Sequence, residues 1–450
     1  MNITIIGTGY VGLTTGVVFN FLGHKVTCLD IDEKKIEKLK KASLPFYEPG
    51  LKQMLSLTSK KIHFTTEPKE AVADADAIFI TVGTPSLSDG SPDLSFVREA
   101  ARTIGKYLNS RTVVVNKSTV PIGSGNWVEA LISEALSENG TKHSFAVASN
   151  PEFLREGAAL HDALYPDRVV VGSDNGQALE TLYALYKPVL EQTFTAPNFL
   201  PRPEGLSAIP FITTNLASAE LIKYAANSFL ALKISFINEI GELAERVGAN
   251  ITEIAKAIGL DKRIGARFLQ AGIGWGGSCF GKDTAALEAT AREYGIPMHT
   301  IRASREINNR QRERVVEKLL HELKILKGKT IGILGLAFKP QTDDLRESAA
   351  LDIAKRLIER GVTLRVHDPV AMDCAREQYP DLNLSFQTEA EEVAQNADAI
   401  ILATEWPEYR DLNWENISKK MRQPLLLDGR NFLDKERLIR AGFRYLGIGR

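Results

Sequence analysis

The chain has 450 residues, 44% of them hydrophobic, and 55 basic against 56 acidic side chains leave a formal net charge of -1. That length exceeds what one core fills and implies about three domains. Balanced charge spread along the sequence excludes the electrostatic footprint of a nucleic-acid or anionic-membrane partner. No run approaches the ~20 apolar residues of a membrane span, and the first strand follows with no basic leader, so a cytoplasmic protein acting on small molecules or on its own copies is expected. Cys28, Cys279 and Cys374 are few, odd in number and without metal or redox spacing, which predicts neither a disulfide framework nor a metal site.

The first thirty residues carry the strongest local signal. A strand from Asn2 to Ile6 runs into G-T-G-Y-V-G at Gly7 to Gly12, a helix follows to about Gly23, and a second strand, Lys25 to Leu29, ends in Asp30. This is the dinucleotide fingerprint in its structural context. Gly7 makes the turn, Gly9 lets backbone approach a pyrophosphate, Gly12 lets helix and strand close, and Asp30 accepts from the ribose. An acid there favours NAD over NADP, although Lys34 and Lys35 stand nearby. Strands at Ala77 to Val82, Thr112 to Asn116 and Phe145 to Ala148 end in G-T-P, K-S-T-V-P and N-P-E, the polar carboxyl edge where a doubly wound parallel sheet keeps its ligands. In N-P-E-F-L-R-E-G, Glu152 and Glu156 are spaced for one helical turn facing a cofactor, or are acids that favour a helix start.

Residues 191 to 212 hold four prolines and read as a loop. Leu216 to Val247 reads as one long proline-free helix, the spine of a helical middle domain, on which Lys223 and Asn227 share a face as a solvated stripe or as a pair aimed into a site. In G-I-G-W-G-G-S-C-F-G-K-D, Gly272 to Asp283, a cysteine follows a glycine run just before a helix expected over Thr284 to Tyr294. A helix N-terminus favours thiolate, so Cys279 is a nucleophile that bare backbone brings to a substrate, or a small hydrophobe in a tight turn. Helix continues to about Leu326, with Arg302, Arg305, Arg310, Arg312 and Arg314 as a solvated basic face.

The chain then starts again. Lys329 to Gly335 and Thr363 to Asp368 repeat the strand–glycine turn and strand–acid pattern, and N-A-D-A-I-I-L at Asn396 echoes D-A-D-A-I-F-I at Asp74. The expected fold is α/β: two Rossmann-like doubly wound domains, 1–212 and 326–450, joined by the long helix and the helical domain 213–325. The second half lacks a full glycine fingerprint. It offers F-K-P-Q-T-D-D-L-R-E-S at Phe338 to Ser348 and D-G-R at Asp428 to Arg430, suited to a nucleotide without a second nicotinamide.

In order over nearly the full length, G-T-G-Y-V-G, V-G-T-P, K-S-T-V-P, N-P-E-F-L-R-E-G, A-E-L-I-K-Y-A-A-N, G-G-S-C-F-x-K-D and F-K-P-x-T-D-D-L-R-E-S resemble the UDP-glucose/GDP-mannose dehydrogenase family, and most closely its members acting on UDP-glucose. The resemblance implies oxidation of a sugar C6 alcohol to a carboxylate with two NAD through a cysteine thiohemiacetal and thioester. GDP-mannose, a UDP-N-acetyl-hexosamine and an inactive nucleotide-sugar-binding protein are the alternatives. It implies that Cys279 is the nucleophile, that Lys223 and Asn227 stabilise oxyanions, and that Asp283 and Thr119 serve the hydrolytic water while Glu152 does acid/base work. Gly7, Gly9, Tyr10, Val11, Gly12, Asp30, Lys35, Thr84, Thr119, Glu156 and Arg346 would contact NAD. Phe153, Leu154, Gly272, Gly276, Phe338, Lys339 and Arg430, with Glu152, Lys223, Asn227 and Cys279, would hold UDP-glucose. Arg263 would reach the site from the other subunit of a homodimer built on the long helix. Gly281 and Trp275 depart from the family pattern, where proline and tyrosine or phenylalanine are usual, and the 191–212 loop is longer than in many relatives.

Overall fold

A computed structural model describes residues 1–58, 61–141 and 143–450. They fall into two compact units, Met1–Ala226 with Ala285–Gly295 and Asn227–Thr284 with Ile296–Arg450. The division lies within the helix Leu216–Val247, whose bounds match the sequence expectation.

The first unit is built on strands β1 Asn2–Ile6, β2 Lys25–Leu29, β3 Ile62–Thr65, β4 Ala77–Ile80, β5 Thr112–Asn116, β6 Phe145–Ser149, β7 Val169–Gly172 and β8 Phe211–Thr214. Their order in the sheet is β3-β2-β1-β4-β5-β6-β7-β8. The order reverses between β1 and β4, which puts a ligand crevice at the carboxyl ends of that pair. β1, β4 and β5 are predominantly apolar, with Thr4 buried inside β1, because helices cover both faces: Ile3, Ile5, Phe79 and Val115 face one core, and Ile6, Ile78, Ile80 and Val114 the other.

The second unit holds β9 Thr330–Leu334, β10 Thr363–His367, β11 Leu384–Phe386, β12 Ala399–Leu402, β13 Leu425–Asp428 and β14 Arg444–Leu446. They are ordered β11-β10-β9-β12-β13-β14, every pairing parallel. The recurrence of the first sheet's order confirms the α/β class with two doubly wound sheets. Ile331, Ile333 and Ile401 bury one face with Ile237, Ile251 and Leu319 from its helices, and Leu334, Ile400 and Leu402 bury the other with Trp406 and Trp414.

Several expectations are corrected. The 191–212 stretch is loop only to Pro210, where β8 begins, and the sheet is not wholly parallel, because β6 meets β7 antiparallel. Residues 151 to 158 form no helix, and the next one starts at Ala159. Local bonds take the backbone's place there: Glu152 folds back onto the amide of Leu154, and Arg155 pairs with Asp162. The basic face is not all solvated. Arg314 is buried and paired with Glu245 at 2.8 Å, and Arg312 is largely covered and paired with Asp352 at 3.3 Å. The helix after the cysteine starts early, at Phe280, and the next long helix stops at Leu323.

Candidate functional site

In the first unit the chain leaves β1 through Gly7 at φ +97°, a backbone conformation that excludes most side chains, and a Cβ there would lie 2.8 Å from the carbonyl of Thr81. Gly12 is packed harder: its Cβ would stand 1.9 Å from the carbonyl of Gly7. Gly9 differs, with nothing within 4 Å of a Cβ. It is the N-cap of the helix Tyr10–Phe21, which has no side-chain cap and no acid in its first turn. Amide donors at an uncapped helix start, beside an open glycine, fit a pyrophosphate.

Asp30 takes the amide and hydroxyl of Thr8 at 2.8 and 2.6 Å, the amide of Asp32 at 3.1 Å and the ammonium of Lys35 at 3.1 Å. Burial pushes its carboxyl up, but these donors outweigh burial and hold it below the usual range, so it stays an ionised acceptor suited to ribose hydroxyls. The residues present therefore fit a dinucleotide. Thr84 donates to the carbonyl of Thr119 at 2.9 Å, tying together the turns after β4 and β5. Tyr10 packs against Phe46 with ring centroids 4.0 Å apart and planes tilted by 32°, and Val11 and Glu156 are half-buried.

Glu152 and Lys223 come together in this unit, both buried, at 2.7 Å. The other Glu152 oxygen accepts the Leu154 amide at 2.6 Å. Burial pushes the Glu152 carboxyl up, but the Lys223 ammonium, the two hydrogen bonds and the charge of Lys117 bring it below the usual range. Phe153 lies under two cations, with the Arg168 guanidinium 3.7 Å and the Lys223 ammonium 5.5 Å from its ring centroid. Lys223 is no solvated stripe.

In the second unit the carbonyl of Cys279 accepts the Asp283 amide at 2.8 Å, so Cys279 occupies the N-cap of the helix Phe280–Glu293. Its thiol is half-buried, 3.4 Å from the Ser278 hydroxyl. Asp283 is wholly buried, accepting from Asn227 at 2.6 Å and pairing with Lys282 at 2.7 Å. The other two thiols are poor nucleophiles: burial pushes Cys28 far up and Cys374 up to about 11.

The glycine run is packed by protein, which is the tight-turn reading of it. A Cβ on Gly272 would meet the Gly429 carbonyl at 2.8 Å, on Gly276 the Glu347 carbonyl at 2.3 Å, on Gly277 the Phe338 ring at 2.6 Å and on Gly281 the Glu347 carboxylate at 1.8 Å. Asn308 clamps Trp275 by its amide and carbonyl at 2.7 and 3.0 Å. Arg430 binds the carbonyls of Ala403, Gly274 and Phe338 at 2.8, 3.1 and 3.3 Å and pairs with Glu405. The D-G-R and F-K-P-Q-T-D-D-L-R-E-S segments thus hold the cysteine loop. Lys339 lies over Phe338, Arg346 is exposed and forks onto Asp344, and Arg263 is exposed and forks onto Asp261.

Among the buried charged residues of the first unit that were missed, three hold its loops. Glu48 accepts the amides of Gly157 and Ala159 at 2.7 and 2.8 Å, fixing the end of the Glu152 loop. Glu220 accepts the amides of Gly123 and Gly125 at 2.6 and 2.8 Å, capping the helix Ser124–Glu138 that follows Thr119. Lys117 directly follows β5 and donates to Asn150 at 3.0 Å and Tyr186 at 3.4 Å. A charge after an apolar run, at Lys117, or before a Pro-Gly turn, at Glu48, was the available signal, whereas Glu220, inside the long helix, carried none.

No helix among the described residues is long and apolar enough to cross a membrane. Residues 1–190 match the NAD binding domain of the UDP-glucose/GDP-mannose dehydrogenase family, 217–310 its central domain and 332–435 its UDP binding domain. The chain is 43% identical over its full length to UDP-glucose 6-dehydrogenase TuaD of Bacillus subtilis, of which it covers 93%. The solved structure of a UDP-glucose dehydrogenase from Pyrobaculum islandicum is similar at 39% identity with a TM-score of 0.89, covering 100% of this chain and 97% of that one. A UDP-D-ManNAc dehydrogenase from Pyrococcus horikoshii is similar at 28% identity with a TM-score of 0.84, covering 100% and 99%. With its dinucleotide turn, its cysteine at a helix N-cap and these full-length matches, the chain belongs to the UDP-glucose/GDP-mannose dehydrogenase family of NAD-dependent enzymes.

Proposed function

We propose that this chain oxidises the C6 alcohol of UDP-glucose to the carboxylate of UDP-glucuronate. The observation that carries the chemistry is Cys279 at a helix N-cap, with a buried Asp283 paired to Asn227 one turn on. UDP-glucose is favoured because the full-length relatives at 43% identity bear that activity in their names. An alcohol gives up one hydride directly, whereas an aldehyde must first gain a nucleophile. NAD, when bound, takes up one hydride at each oxidation. The Cys279 thiolate adds to the aldehyde carbon to make a thiohemiacetal, whose oxidation leaves a thioester. Water cleaves it, returning the thiol and the acid. In sum, the alcohol, two NAD and one water give the carboxylate, two NADH and three protons.

The chain's other residues have electrostatic tasks. Lys223 and Asn227 donate toward oxygens as they become negative, each typically worth a few kcal/mol. Glu152, ionised by its cations, accepts a proton, and Asp283 and Thr119 orient water. Gly7 to Gly12, Asp30, Lys35, Thr84, Glu156 and Arg346 are assigned to NAD. Phe153, Leu154, Gly272, Gly276, Phe338, Lys339 and Arg430 are assigned to the nucleotide sugar, with 1–212 as cofactor domain, 213–325 as central domain and 326–450 as sugar-nucleotide domain.

A homodimer is part of this reading. Phe229, Phe236 and Leu243 stand exposed at seven-residue intervals on the long helix, with Val247 beyond, a stripe that a second copy would cover. Arg263 is exposed on the same unit, as a residue serving a partner's site should be. A cytoplasmic location keeps the three thiols reduced.

The test is the ratio of NADH formed to nucleotide sugar consumed, with UDP-glucose, GDP-mannose and UDP-N-acetylglucosamine supplied in turn. Two NADH per UDP-glucose is expected, and Cys279→Ala should stop uronate formation while NAD still binds. A ratio of one would remove the thiol route. Turnover of GDP-mannose but not UDP-glucose would overturn the substrate.

A further inference from the structure

Lys117 is buried in the first unit with two neutral hydrogen-bond partners, the carbonyl oxygen of the Asn150 side chain at 3.0 Å and the Tyr186 hydroxyl at 3.4 Å. Tyr186 donates to the same Asn150 oxygen at 2.6 Å, and Asn150 in turn donates to the carbonyl of Val170 at 2.8 Å. The backbone amide of Asn150 is held by the carbonyl of Asn116 at 2.8 Å. Asn150 is therefore tied on every side, and Glu152 leaves it across one proline. Two buried cations, Lys117 and Lys223, act on the one buried carboxylate of Glu152. A buried ammonium without a carboxylate in contact is costly, and a fold that only needed to fill this space would hold methionine more cheaply.

We propose that Lys117 is a positioning residue of the reaction: its ammonium fixes the Asn150–Glu152 turn and supplies the second positive charge that holds the Glu152 carboxylate as a proton acceptor. The inference rests on the acid/base role given to Glu152 above. The groups that act on Lys117 are Glu152, Lys223, Asn150 and Tyr186. Burial keeps the Tyr186 phenol protonated well past neutrality, so it remains a donor to Asn150. Burial also brings Lys117 down to about 8, against the pull of Glu152, so the arrangement dissolves on the alkaline side.

The experiment compares Lys117→Met, Lys117→Arg and Glu152→Gln with the native enzyme, measuring kcat and KM for UDP-glucose against pH, NAD binding by calorimetry and thermal unfolding. Lys117→Met should keep NAD binding within about twofold while kcat falls about tenfold or more at pH 7 with KM little changed. Its acid limb should move up by about one pH unit, because Glu152 loses a stabilising charge. Lys117→Arg should return that limb toward the native position. A folded Lys117→Met with an unmoved acid limb overturns the inference. If Lys117→Met does not fold, Lys117→Arg decides: an acid limb within 0.3 pH unit of native supports the charge role, and a displaced limb in a folded protein refutes it. Glu152→Gln separates the two readings: native turnover there would refute the role of Glu152, whereas an inactive Glu152→Gln beside an unshifted Lys117→Met would refute only this inference.

Discussion

The two glycines of the dinucleotide turn call for opposite outcomes from the same substitution. In Gly12→Ala the new Cβ meets the Gly7 carbonyl at 1.9 Å and the Thr81 hydroxyl at 2.4 Å. Ordinary contact needs the first turn of the helix to withdraw by about 1.5 Å. Backbone against backbone has no rotamer to relieve it, so destabilisation at or above the usual ~1–3 kcal/mol of overpacking is expected, together with loss of NAD binding because the amide donors move with the helix. In Gly9→Ala, by contrast, the Cβ enters open space and φ is -73°, which alanine adopts freely. Stability should stay within about 0.5 kcal/mol of native, since a restricted unfolded chain offsets a poorer N-cap. Affinity for NAD should nonetheless fall at least ~10-fold, about 1.4 kcal/mol, because that space is where a pyrophosphate approaches. Thermal unfolding and calorimetric titration of NAD measure both. Native affinity in Gly9→Ala would refute the assignment of the turn, and native stability in Gly12→Ala would refute the packing argument.

Burial lifts the Glu220 carboxyl to about 7 despite two amide donors. Folded Glu220 holds a proton that the unfolded chain, with a carboxyl near 4.3, releases, so its contribution is full below about pH 4 and lost as pH rises to about 7. Glu220→Gln should remove up to about 3 kcal/mol of that decline, and parallel urea midpoints for variant and native protein from pH 5 to 8 would contradict it. Phe236→Glu places a charge mid-stripe on the long helix and should give a monomer by light scattering; an unchanged dimer would move the interface elsewhere. Asp30→Ala should raise KM for NAD about tenfold or more and narrow the preference over NADP, and an unchanged NAD/NADP ratio would show that Lys35 dominates there.

What could be read beforehand followed from local rules. β1, its glycine turn and Asp30 were legible because buried parallel strands are mostly apolar runs closed by turn chemistry, and the long helix because 32 residues carry no proline. The loop at Glu152 was misread because its conformation depends on Lys223, 71 residues on, and on a side chain bonding its own backbone. Arg314 looked solvated because Glu245, its partner, is 69 residues away. The glycines around Cys279 were read either as backbone open to a substrate or as a tight turn, and local sequence could not separate the two because Phe338, Asn308 and Glu347, which pack against them, lie far along the chain.

The short segment Phe46–Gly50 touches both halves of the chemistry in its unit: Phe46 lies on Tyr10 of the cofactor turn, and Glu48 grips the amides that end the Glu152 loop. Anyone altering this enzyme for another sugar would meet it as a hidden linkage. A substitution at Glu48 made to widen the acidic loop would also loosen the segment that carries Phe46 against Tyr10, so libraries that vary residues 152–156 should leave 46–50 untouched and read out the Michaelis constants of sugar and cofactor together.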